Sequence, residues 1–147
     1  THMCNLAEPW CAIGPNSDSI EYCGCEAKDV TGFPILDEDY YGLIRKHVIE
    51  QRKARPDAVF LVHCDRGVNR AAAVACAWLM DEERMTLIEA VRLLKLKRPG
   101  GVLGNRSFRL SLLRHARARG RLAADDDDAW EYAPAPDARG AARPRGR

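Results

Sequence analysis

Val59 to Met80, VFLVHCDRGVNRAAAVACAWLM, is the stretch that decides the fold of this chain. It opens with an apolar run of β-branched and aromatic residues, which is typical of a buried strand. A short loop around Gly67 follows, and the apolar segment from Ala71 to Met80 then predicts a helix that is buried on all sides. The N–H groups of such a loop converge at the positive end of the helix, so the stretch predicts an anion-binding site.

Two side chains give this predicted site its chemistry. Cys64 begins the loop, where the backbone N–H groups that favour a phosphate also favour a nucleophilic thiolate. Arg70 ends it and can return as a planar fork that holds two phosphate oxygens. A buried structural cysteine beside a surface arginine would leave the glycine, the spacing and the strand–loop–helix order unexplained. The residues predicted to bind the substrate phosphate are Asp65, Arg66, Gly67, Val68, Asn69 and Arg70.

The pattern Cys-x5-Arg resembles the signature of the cysteine-dependent protein phosphatases, and Val62-His63-Cys64-x-x-Gly67-x-x-Arg70 resembles that of their dual-specificity branch. The resemblance covers residues 1–118. It implies a compact α/β fold in which helices flank a central sheet and the phosphate loop follows the carboxyl end of a central strand. It further implies that His63 helps to hold the loop, that Asn105 of an Asn-x-x-Phe element supports it, and that the reaction needs no metal or cofactor.

The same resemblance implies a proton donor. The oxygen that leaves phosphorus needs a proton, and in the family an Asp on a loop after a strand supplies it. Asp29 follows a strand-like stretch and lies 35 residues before Cys64, so we predict that it is this acid. Asp37 and Asp39 are nearer to the cysteine, but they are explained as acids that complement the dipole at the start of a helix.

One position departs from the family pattern and leaves the function open. The family usually has Ser or Thr directly after the arginine, where the hydroxyl helps the thiolate to leave, and this chain has Ala71. The first interpretation is a protein phosphatase that acts on phosphotyrosine, phosphoserine or phosphothreonine through a phosphocysteine. Ala71 leaves open a phosphate-binding pseudophosphatase or scaffold. The basic stretch from 92 to 121 leaves open an RNA 5′-phosphatase or a phosphoinositide phosphatase.

Length and composition indicate the domain organisation of the chain. A length of 147 residues suits one domain, which we place at 1–120, with its first strand and helix missing because residues 1–7 resemble an internal strand of the family. The remainder, 121–147, is predicted to be a disordered charged tail. The order of elements is predicted as strand, strand, helix, strand and three helices, the last capped by Asn105.

Partners and location are predicted from the same data. Ten Lys or Arg and no Asp or Glu lie between Arg92 and Arg121, which makes this stretch a candidate site for an acidic partner. The substrate is expected to be a phosphorylated protein, and nucleic acid is not expected. No apolar run is long enough to span a membrane. A nucleophilic Cys64 needs a reducing compartment, so we expect a cytoplasmic or nuclear protein.

Overall fold

Three strands and four α-helices form in the predicted order. The computed structural model describes residues 1–9, 20–98 and 100–123. The strands are β1 (His2–Asn5), β2 (Glu21–Gly24) and β3 (Phe60–His63), and the helices are α1 (Leu43–Ala54), α2 (Arg70–Asp81), α3 (Leu87–Lys97) and α4 (Arg106–Arg119). A π-helical turn, Glu38–Gly42, leads directly into α1. The predicted α/β class is confirmed.

The sheet is parallel throughout, with β1 in the middle. Cys4 of β1 lies opposite Cys23 of β2 on one side and opposite Val62 of β3 on the other. The strand before Cys64 was predicted to be central, and that detail is wrong for the described sheet, where β3 is an edge strand. The reason is the connection through α1, which carries the chain from β2 back across β1. Because the strands are parallel, the carboxyl ends of all three lie at the same end of the sheet.

Helix α2 is the buried centre of the helical layer, as its composition predicts. Its first turn consists of alanines, and Ala73, Cys76 and Ala77 are fully buried. Small side chains let the helix lie close to β3, α3 and α4, all of which it contacts. Phe108 and Leu112 of α4 complete this core.

Side-chain caps and a glycine mark the ends of the last two helices. Thr86 and Glu89 form a capping box at the start of α3, and the side chain of Asn105, the predicted cap of α4, accepts a hydrogen bond from the N–H of Ser107. Gly120 ends α4 in the left-handed conformation, φ 61°. This turn brings the carbonyl of Arg121 to the N–H of Leu87 at 2.9 Å.

The packed part of the chain therefore continues past the predicted boundary at residue 120. Leu122 packs against the hydrophobic core. The rest of the predicted tail, 124–147, lies outside the described residues. No helix in the described part of the chain has the length and apolar character that a membrane crossing requires.

Candidate active site

The site lies at the edge of the sheet where the three parallel strands end. Cys64 follows β3 directly, and Asp29 follows β2 after a short segment. Two loops that are 35 residues apart in sequence therefore meet at one end of the sheet. Gly67 turns the phosphate loop with φ 63°, a left-handed conformation that side chains beyond glycine disfavour.

A pocket of about 310 Å³ opens at this edge. Its lining residues are Asp29, Cys64, Asp65, Arg66, Val68, Asn69 and Arg70. All three residues predicted to be catalytic line this single pocket, with Cys64 buried and Asp29 exposed. A nucleophile, a cation and a carboxylate around one anion-sized cavity are the groups that phosphate ester cleavage needs.

The guanidinium of Arg70 is anchored by backbone carbonyls. Its Nη1 donates to the carbonyl of Ala27 at 2.9 Å and to that of Leu6 at 3.4 Å, beyond the ends of β2 and β1. Its Nε is buried and has no hydrogen-bond partner within the described residues. The two carbonyl bonds therefore fix the guanidinium where Arg70 lines the pocket.

Amides from two other segments hold the carboxylate of Asp29. Nδ2 of Asn69 donates to Oδ2 at 2.9 Å, and Nδ2 of Asn105 donates to Oδ1 at 2.9 Å. The phosphate loop, the loop after β2 and the start of α4 thus meet at one side chain. The predicted support by Asn105 reaches the acid as well as the loop, because the backbone N–H of Asn105 donates to Oδ1 of Asn69 at 3.0 Å.

Two further residues support the phosphate loop, and no specific sequence signal points to either. The N–H of Leu103 donates to the carbonyl of Val68 at 2.8 Å, and Leu103 is buried with φ 60°. The guanidinium of Arg98 donates to the carbonyl of Arg66, and a Cβ on Gly67 would lie 2.6 Å from Arg98 Nη1. A side chain at 67 would displace the Arg98 guanidinium, and the left-handed φ of 63° favours glycine there.

Comparison with known proteins agrees with this geometry. The sequence matches the family model "Dual specificity phosphatase, catalytic domain" over residues 4–118. The chain belongs to the dual specificity phosphatase family. It is 36% identical over 94 residues to dual specificity protein phosphatase 26 of Bos taurus, covering 64% of this chain and 42% of that protein. It is 39% identical over 80 residues to human dual specificity protein phosphatase 13B, covering 54% of this chain and 39% of that protein.

Solved structures show the same fold. A mouse putative dual specificity phosphatase complexed with zinc tungstate superposes with a TM-score of 0.67 at 23% identity, covering 85% of this chain and 76% of that one. The human tyrosine phosphatase-like serine/threonine/tyrosine-interacting protein gives a TM-score of 0.63 at 21% identity, covering 80% and 77%. The chain spans less than half the length of the two dual specificity phosphatases, 26 and 13B, that it matches in sequence.

The remaining predicted residues of the site lie beside the pocket rather than on its lining. A neighbouring cavity of about 360 Å³ is lined by Gly67, His63 and Ala71, and it shares Cys64, Asp65 and Arg66 with the first pocket. His63 is half-buried, and its Nε2 has no hydrogen-bond partner in the part of the chain that the structure describes. Ala71 is 6% exposed and lies in the first turn of α2. Because its side chain is a methyl group, position 71 presents no hydroxyl to the site.

Two other cysteines of the domain, Cys25 and Cys76, are held as thiols. Burial raises the pKa of Cys76 to about 12, and burial together with the neighbouring Cys23 raises the pKa of Cys25 to about 11. Thiols with such pKa values are poor nucleophiles at neutral pH. Cys76 is fully buried in α2, as expected of a helix predicted to be buried on all sides.

Proposed function

We propose that this chain is a protein phosphatase that hydrolyses phosphotyrosine, phosphoserine or phosphothreonine through a phosphocysteine on Cys64. One observation carries the proposal: Cys64, Arg70 and Asp29, assigned from spacing and family resemblance, line the same pocket. Each of the three residues then has one role. Cys64 is the nucleophile, Arg70 holds the phosphate, and Asp29 transfers the proton.

The reaction has two balanced steps. In the first, the Sγ thiolate of Cys64 attacks phosphorus, the ester P–O bond breaks, and Asp29 gives its proton to the leaving oxygen. In the second, Asp29 takes a proton from water, the water oxygen attacks phosphorus, and the P–S bond breaks. Inorganic phosphate leaves, and the thiolate and the protonated Asp29 are restored. Donors from the loop backbone and Arg70 stabilise the charge on the phosphoryl oxygens throughout.

Substrate and partner proposals follow from the exposed charge. Eight of the ten basic side chains from 92 to 121 are exposed, which supports an acidic partner or an acidic stretch in the phosphoprotein substrate. Two side chains do not contribute in this way: Arg109 is buried and Arg121 is half-buried.

We also propose a cytoplasmic or nuclear location. The five cysteines in the described residues, 4, 23, 25, 64 and 76, are free. Free thiols and a cysteine nucleophile both fit a reducing compartment.

A panel of substrates tests the function. Phosphate release is measured from phosphotyrosine and phosphothreonine peptides, inositol lipid phosphates and triphosphorylated RNA, each with the Cys64→Ser protein as control. We expect release from a phosphopeptide and its loss in Cys64→Ser. Binding of phosphopeptide without release would indicate a pseudophosphatase. Release confined to the inositol lipids would indicate a phosphoinositide phosphatase, and release confined to RNA would indicate an RNA 5′-phosphatase.

A further inference from the structure

We infer that Asn69 is a positioning residue that holds the general acid Asp29 at the pocket of Cys64. The inference rests on the proposed function, because it concerns the proton donor of the same reaction. Asn69 was predicted to bind the substrate phosphate as a residue of the loop. Its side chain makes two hydrogen bonds to other segments. Its Nδ2 donates to Oδ2 of Asp29 at 2.9 Å, and its Oδ1 accepts from the backbone N–H of Asn105 at 3.0 Å.

Asn69 lies at a position where its side chain would be expected to cap a helix. Asn69 is the N-cap residue of α2, where an asparagine normally accepts a hydrogen bond from the first turn of its helix. Here the side chain makes no capping bond. The side-chain amide instead links the start of α4 to the loop after β2. Asn69 therefore bonds the acid and does not cap its own helix.

The orientation of the amide follows from its partners. A backbone N–H such as that of Asn105 can only donate, so it must face the oxygen of the Asn69 amide. The NH2 group is thereby turned toward the carboxylate, which accepts. Asp29 is exposed and belongs to no helix or strand, so the two amides are what fixes its side chain. Asn105 belongs to the start of α4, whereas Asn69 belongs to the phosphate loop itself and ties the acid directly to the loop that carries Cys64.

This bond has a direct chemical consequence. It holds Asp29 beside the site where the leaving oxygen must receive a proton, which matters most when the leaving group is a poor one. Removal of the donor should therefore lower the rate on poor leaving groups more than the rate on good ones.

The test compares leaving groups in a double-mutant cycle. Steady-state kcat/KM is measured for wild type, Asn69→Ala, Asp29→Ala and the double variant on phenyl phosphate and on p-nitrophenyl phosphate, whose phenolate leaves readily. We expect Asn69→Ala to lose about tenfold or more on phenyl phosphate and much less on p-nitrophenyl phosphate. In the Asp29→Ala background it should have no further leaving-group-dependent effect.

Competitive inhibition by inorganic phosphate reports on the loop itself and should change little in Asn69→Ala. If that variant no longer binds phosphate, Asn69→Ser, which restores a residue favoured at an N-cap, must show the same leaving-group pattern. Equal losses on both substrates, or a full further loss in the Asp29→Ala background, would overturn the role of Asn69 in an active enzyme. A wild-type chain that releases no phosphate, or release that survives Cys64→Ser, would instead overturn the proposed function and the inference with it.

Discussion

Asp29 and Asp81 each accept hydrogen bonds from side chains of two other segments, yet they differ in burial and in the chemistry of their partners. Asp29 is exposed and bonded by the neutral amides of Asn69 and Asn105. The side chain of Asp81, at the end of α2, is 2% exposed. The hydroxyl of Tyr41 donates to its Oδ2 at 2.8 Å.

Basic groups complete the surroundings of Asp81. His115 Nε2 lies 3.0 Å from Oδ1, while Arg45 Nε and Arg119 Nη1 lie 3.8 and 3.7 Å from Oδ2. The network joins α2 to α4 and to the π-helical turn before α1. A buried carboxylate that binds side chains of several elements holds those elements together and serves stability. A carboxylate that must gain and lose a proton needs access to solvent and neutral partners, as Asp29 has.

The largest expected effect is at Asp29, where substitution should lower the reaction rate and leave the stability of the fold almost unchanged. Asp29→Ala should lower kcat/KM on phenyl phosphate by about 10²–10⁴-fold, the usual contribution of a general acid. The free energy of unfolding should change by no more than about 0.5 kcal/mol, because the site is exposed. Urea unfolding and steady-state kinetics on one preparation measure both. Asp29→Asn is the matched control, and it should lose the rate although it keeps the size of the side chain.

Asp81 should behave in the opposite way. Asp81→Ala leaves the Tyr41 hydroxyl and the His115 ring without their buried acceptor, so it should lower the free energy of unfolding by about 3–5 kcal/mol. The folded fraction should retain wild-type kcat/KM at low temperature. A loss of rate in folded Asp81→Ala, or an unchanged urea midpoint, would contradict the contrast between the two aspartates.

A smaller effect is expected beside the phosphate loop, at Ala71. A hydroxyl that bonds the departing thiolate would contribute about 1.5–3 kcal/mol, so its absence should slow breakdown of the phosphoenzyme by roughly ten- to a hundred-fold. We expect a burst of one equivalent of phenol followed by slow turnover. Ala71→Ser should raise the steady rate and reduce the burst. A linear progress curve that Ala71→Ser leaves unaltered would show that another group already assists this step.

The smallest effect concerns pH and the buried network. Burial and the hydrogen bond to Asp81 raise the pKa of Tyr41 above its usual value. The folded protein therefore holds this proton more tightly than the unfolded chain, in which tyrosine titrates near about pH 10. The stabilisation is complete below about pH 10 and is lost as the pH rises further. Tyr41→Phe should cost about 1–3 kcal/mol of unfolding free energy at pH 7.

The difference between wild type and Tyr41→Phe should shrink as the pH is raised from about 9 to about 11, on either side of the unfolded tyrosine pKa, as measured by urea unfolding. Tyr40→Phe is the matched control, since it alters the neighbouring tyrosine and leaves the bond to Asp81 in place. A difference that stays constant over this range would show that the Tyr41 proton is not held by the fold.

Several features of the site were predictable because their signals are local. The glycine and the Cys-x5-Arg spacing indicate a strand, a tight turn and a helix start, which are set by neighbours in the chain. The cap formed by Asn105 was predictable for the same reason, and that prediction is confirmed. The edge position of β3 was not predictable, because it depends on which side of β1 the chain crosses to after α1.

The chemistry could be assigned from the residues: a cysteine, an arginine and an upstream aspartate, with the family resemblance to give each a role. Which side chains those groups touch depends on how distant segments of the chain pack together. Asn69 turns from its own helix toward Asp29, and Arg109 is buried while its basic neighbours are exposed. The physical reason is distance along the chain. Contacts between residues 29, 69 and 105 form only once the parallel strands and the helices on them bring these loops to one edge of the sheet.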